Sequence, residues 1–94
     1  MIALERDVSA TTQEYLHGLR LAFPSGVEVS DDGQVRVSNA GVCLEIRYRI
    51  LPPRVIALLR LPRLLVNLRF TSGTPAEQQA MLNYMDRAMQ RGGG

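Results

Sequence analysis

The sequence predicts an α+β domain: a two-layer sandwich in which a curved antiparallel sheet carries two helices on one face, in the order β-α-β-β-β-β-α. Three observations carry this reading. Residues 42–51 alternate Val42, Leu44, Ile46, Tyr48 and Ile50 with Cys43, Glu45, Arg47 and Arg49, the period of a strand with one face buried and one in water. Two stretches, Tyr15 to Phe23 and Met81 to Met89, place apolar residues on one helical stripe behind a capping motif. Each strand and each helix thus has one apolar side, and two packed layers bury all of them at once.

The elements follow in order. Ile2, Leu4 and Val8 share a parity, with Arg6 between them, and predict a first strand. Thr11-Thr12-Gln13-Glu14 fits a capping box, and Tyr15, Leu16, Leu19, Ala22 and Phe23 follow at helical spacing. Gly18 weakens that helix by about 1 kcal/mol relative to alanine, which suggests either close packing against the sheet or a tolerated weakness. Pro24 with Ser25-Gly26 ends it. Val27 and Val29, then Val35 and Val37, flank Asp31-Asp32-Gly33, a hairpin signal because glycine takes positive φ freely.

Asn39-Ala40-Gly41 makes the next turn into the strand 42–51, which Pro52 and Pro53 are expected to stop. Val55 to Leu59 returns after that corner. Pro62 cannot donate to a strand ladder, so a bulge or short loop is expected between Arg60 and Leu64. Leu64, Val66, Leu68 and Phe70 then alternate against Asn67, Arg69 and Thr71. Thr74-Pro75-Ala76-Glu77 combines a threonine cap, proline at the first helical position and a capping-box glutamate. The helix it opens has Met81, Leu82, Met85, Ala88 and Met89 on its apolar stripe. Residues 1–91 read as a single domain, and 92–94 as a flexible glycine tail.

With 94 residues, nearly every apolar side chain is needed for the core, which leaves little volume for a large ligand cavity. All 11 cations besides the single histidine are arginine, against 9 carboxylates, for a net charge of +2. An all-arginine usage is what a GC-rich, bacterial-type genome produces, and each guanidinium is a planar fork suited to carboxylate or phosphate. One cysteine excludes an intrachain disulfide, and one Cys with one His cannot build a structural zinc site. The amino terminus lacks the pattern of a signal peptide, and no window approaches the ~20 apolar residues needed to span a bilayer. A cytoplasmic protein with no membrane partner is the expectation.

The element order resembles the helix-grip and TATA-binding-protein-like architecture, whose larger members include the START and Bet v 1 lipid-binding proteins. The likeness covers the whole chain and rests on topology and on a final helix after a long strand. It implies an apolar groove between the last helix and the sheet, bordered by Met81, Met85 and Met89, fit for a small apolar ligand.

No arrangement of nucleophile, base, metal ligand or phosphate loop stands out, so neither catalysis nor a cofactor is expected. His17 lies on the polar side of the first helix with no nucleophile near it in the pattern. Cys43 shares a strand face with Glu45 and Arg47, and Asp31-Asp32-Gly33 lacks the further oxygen ligands of a calcium loop. The ending Arg91-Gly92-Gly93-Gly94 is similar to the tails of ubiquitin-like and sulfur-carrier proteins, but follows a helix where those follow a strand.

Two surfaces remain. The outward parity of the sheet collects Arg36, Arg47, Arg49 and Arg69, a candidate platform for an acidic partner or a nucleic-acid backbone. Glu28 and Glu45 sit among them, so a solvated face laced by cross-strand pairs is the plainer reading. Leu58 to Leu65 holds more leucines than one buried face can take, so some of Leu59, Leu61 and Leu65 are expected to point outward. An apolar patch rimmed by arginine suits self-association, and the alternative is a bulge at Pro62 that turns these side chains inward. A small non-catalytic binding module, self-associating as a homodimer, is the function these features favour. A reduced helix-grip carrier and a nucleic-acid backbone binder are the alternatives.

Overall fold

The structure, a computed structural model, describes residues 3–89. Seven elements follow the predicted order: β1 (Ala3–Val8), α1 (Thr12–Ala22), β2 (Val27–Val29), β3 (Val35–Asn39), β4 (Val42–Ile56), β5 (Leu59–Ser72) and α2 (Pro75–Ala88). The five strands form one antiparallel sheet ordered β1-β5-β4-β3-β2. Ile2 of the expected first strand, Arg91 and the glycine tail lie outside the described residues.

Local chemistry fixes both helix starts. Thr11 accepts from the Glu14 backbone N–H while Glu14 accepts from the Thr11 N–H, and Thr74 and Glu77 repeat this arrangement on α2. The β2–β3 turn closes by hydrogen bonds from Gly33 N–H to the Ser30 carbonyl (3.0 Å) and from Ser30 N–H to the Gln34 carbonyl (2.9 Å). Ala40 and Gly41 both take positive φ, at 50° and 82°, the handedness a two-residue hairpin connection requires.

The inward parity of the sheet supplies Val35, Val37, Val42, Leu44, Ile46, Leu64, Val66, Leu68 and Phe70, all buried. Against them pack Tyr15, Leu19, Ala22 and Phe23 from α1 and its end, and Met81, Leu82 and Met85 from α2, in one core. Both helices therefore cover the same side of the sheet. Tyr84 Oη donates to the Ala22 carbonyl at 2.8 Å, and its ring meets Phe23 edge-on with centroids 5.4 Å apart, which ties the end of α1 to α2. Gly18 does pack closely, but against α2 instead of the sheet: an added Cβ would lie 3.2 Å from Met89 Cε. Gln78 is buried on the apolar stripe of α2, and its side-chain amide donates to the Gly73 carbonyl (3.0 Å), which accounts for a polar group in that position.

Two expectations about the middle of the chain are corrected and a third is met in one of its two forms. Pro52 and Pro53 do not stop the strand: β4 continues to Ile56, and the register shifts between Leu51 and Arg54. There β4 places Pro52 and Pro53 opposite the single Pro62, a bulge that absorbs residues unable to donate to the ladder. Of the bulge or short loop expected between Arg60 and Leu64, the structure has the bulge, at Pro62; β5 runs unbroken from Leu59, and the reversal occurs at Ala57-Leu58. Ile50, which has inward parity, is 72% exposed, because the helices do not extend over that end of the strand.

Candidate functional site

The outward parity of the three central strands places Arg36, Glu45, Arg47, Asn67 and Arg69 on one face. The pairing aligns Arg36 with Glu45, Glu45 with Arg69, and Arg47 with Asn67. Arg49, opposite Leu65, continues the row. Glu45 answers two of the four arginines, reaching Arg69 at 3.1 Å and Arg36 at 3.7 Å. Such exposed pairs contribute at most about 1 kcal/mol each. Arg47 and Arg49 have no salt bridge among the described residues, although Arg47 lies near enough to Asp32 to act on its carboxylate, so the least compensated cations of the face lie on β4, toward the hairpin end. A shallow hollow lined by Asp32, Gly33, Gln34, Arg47 and Tyr48 adjoins it.

Beyond this face the chain builds an arm. The last β3 residue on β4 pairs with Ile46, and the last β1 residue on β5 pairs with Leu64. Past those points β4 and β5 have only each other, through Leu51–Arg63, Arg54–Leu61, Val55–Arg60 and Ile56–Leu59. Successive pairs alternate in side, so Arg54, Leu61, Ile56 and Leu59 share one face of the arm and Val55 and Arg60 take the other. Leu58 at the tip is 100% exposed, and Val55 and Leu59 are each 63% exposed. Ala57 holds φ at 53°, which lets a tip without glycine reverse in two residues.

The leucines expected to face outward divide. Leu59 is open to solvent, while Leu61 and Leu65 are half-buried by the arm and sheet. The most exposed apolar residues are Leu58, Ile50 and, away from the arm on α1, Leu21, followed by Val55 and Leu59; strand parity alone assigned Leu58, Ile50 and Val55 to no surface. The methionine groove also resolves into parts: Met81 and Met85 are buried in the core, and Met89 is half-buried beside Gly18. Met85 and Met89 edge a depression of about 670 Å³ between β1, α1 and α2.

Two ion pairs brace the sheet that carries the arm. Arg6, on the inward side of β1, grips Asp86 of α2 with both terminal nitrogens, one of them at 3.0 Å. This contact spans 80 residues and no sequence spacing signals it. Arg63, at the root of the arm, holds Asp7 of β1 through Nε (3.3 Å) and Nη2, and that guanidinium keeps the Asp7 carboxyl below its ordinary range. Tyr15, buried beneath Arg6, has its phenol pushed up to about 12 by desolvation. Cys43 is half-buried at the far end of β4, its thiol lowered by hydrogen bonds from Ser72 and Ser38. His17 is exposed on α1.

In comparisons with known proteins, no family model matches the chain and no curated protein matches it. Among the described residues, no helix is long and apolar enough to cross a membrane.

Proposed function

We propose that the chain is a non-catalytic binding module whose working part is the β4–β5 arm, with self-association through the leucines of that arm as its first mode. One observation carries the reading: the largest apolar exposure lies on residues 50–59, on a hairpin that contributes nothing to the core beyond Leu64 and Tyr48. Single exposed apolar residues are ordinary on a protein surface, whereas a run of them on a projecting element serves as a contact site.

The arm offers its faces more than its edges. Pro52 and Pro53 on one edge and Pro62 on the other lack the N–H that an added strand needs, a known way to blunt edge pairing. The contact is therefore side chain to side chain, through Leu58, Leu59 and the half-buried Leu61, with Leu65 at the root.

Sedimentation velocity across a concentration series tests self-association. The wild type is expected to form a dimer at high micromolar concentration, and Leu58→Asp with Leu59→Asp to remain monomeric at the same stability. A wild type that sediments as a monomer throughout removes the self-association.

A further inference from the structure

The arm segregates charge as sharply as apolarity. No acidic residue occurs between Glu45 and Glu77, and the arm itself, residues 49–63, carries Arg49, Arg54, Arg60 and Arg63. The rest of the chain holds all the carboxylates and is net negative. Arg63 is paired with Asp7, whose carboxylate also feels Arg54 at longer range, while Arg49, Arg54 and Arg60 have no salt bridge among the described residues. Four consecutive apolar residues, Ile56, Ala57, Leu58 and Leu59, form the tip, with no charge among them.

The spacing orders these groups by depth. At about 3.3 Å per strand residue, Arg60 sits one step and Arg54 two steps behind the Ile56–Leu59 pair, so both backbone positions lie within roughly 7 Å of that pair, with side chains long enough to reach toward it. Arg63 and Arg49 lie farther back. An apolar tip followed at once by long-stemmed cations matches the interface of an anionic bilayer, where apolar groups sink about 5–10 Å and arginines reach back to the phosphates.

From this geometry we infer that the tip of the β4–β5 arm seats in the surface of an anionic membrane, with Leu58 and Leu59 among the acyl chains and Arg54 and Arg60 on lipid phosphates. The inference rests on the arm as the working part and adds its partner. An anionic surface supplies partners for the arginines behind the tip, which a second copy's arm, carrying no carboxylate, does not; contact between two arms rests on the leucines alone. The sequence expectation of no membrane partner weighed only segments able to span a bilayer. Interfacial seating needs no span.

Vesicle flotation tests it, with vesicles of phosphatidylcholine alone and of equimolar phosphatidylcholine and phosphatidylglycerol. The wild type is expected to float with the anionic vesicles and to be released by salt. Each arginine near an anionic surface is worth about a fivefold change in partitioning, so Arg54→Gln with Arg60→Gln should weaken flotation by roughly twenty-fold. Leu58→Ser with Leu59→Ser should weaken it by at least tenfold without loss of helix content, because these side chains touch no core residue. The chain has no tryptophan, so Leu58→Trp gives a single reporter whose emission should shift to the blue on anionic vesicles.

Flotation that ignores lipid charge, or a Leu58→Ser/Leu59→Ser variant that floats like wild type, overturns the proposal. So does binding to a DNA duplex with no flotation, which would favour the nucleic-acid reading. A wild type that dimerises but does not float would overturn the lipid assignment and leave the arm as the contact site. One that does neither would remove both.

Discussion

Phe70→Ala is expected to lower stability by about 3–5 kcal/mol, enough to place the domain at or beyond the edge of folding. Phe70 is among the largest side chains with no solvent exposure, and it lies on β5 opposite Leu44, where the sheet faces the helices. Truncation removes the ring's burial and leaves a void that neighbours on two layers cannot close together. In a domain of this size each kcal/mol moves the thermal midpoint by about 4–8 °C, so the variant should melt at least 12 °C lower or fail to fold. Calorimetry or circular dichroism reads this directly. Leu58→Ala removes a residue of similar apolarity from the arm and should change the midpoint little, since surface changes stay within about 0.5 kcal/mol. A Phe70→Ala chain as stable as wild type would show that the core is not where the sheet parity places it.

Gly26→Ala is the second large effect, and it acts through the backbone. The Gly26 carbonyl accepts from the Ser38 N–H at 2.9 Å, which closes the entry to the β2–β3 hairpin after α1. A Cβ at this position would overlap the Ser38 carbonyl oxygen, a backbone atom that cannot rotate away. The hairpin must shift or the hydrogen bond must break, at a cost of roughly 3 kcal/mol. At Gly18 the added methyl would meet only the mobile end of Met89, which can give way. The two glycines thus separate by what surrounds them: Gly26→Ala should lower the midpoint by more than 10 °C, Gly18→Ala by little or nothing. Equal effects at both sites would contradict the packing described at Gly26.

The parts of this fold that were legible before any coordinates are those whose cause is local. Both capping boxes lie within four residues, and the Asp-Gly turn and the alternation of residues 42–50 depend on neighbours along the chain. The outward arginines were legible for the same reason, since strand parity alone puts Arg36, Arg47 and Arg69 on one face. The arm was not. Its tip, Ala57-Leu58, lacks the Asn-Gly chemistry that marks a hairpin, and three prolines suggested an interruption where the strands tolerate them at a bulge. Proline in a strand is costly where a neighbour needs its N–H, and the arm has no neighbours. Pairings set by the tertiary fold left no trace in spacing: Arg6 with Asp86, the buried Gln78, and Gly18 against Met89. Ile50 shows the limit of parity itself, because alternation gives the side of the sheet and not how far the helices reach along it.

The body, in this account, is complete without the hairpin's outer half, which exists for contact with something else. The thermal midpoint of a chain in which residues 52–62 are replaced by Asn-Gly, joining the paired Leu51 and Arg63, tests that division most directly. A midpoint within about 4–8 °C of wild type, the equivalent of roughly 1 kcal/mol, is the predicted result. A chain that fails to fold, or melts far below that range, would mean that the arm is part of what holds the domain together and would contradict its assignment as the working surface.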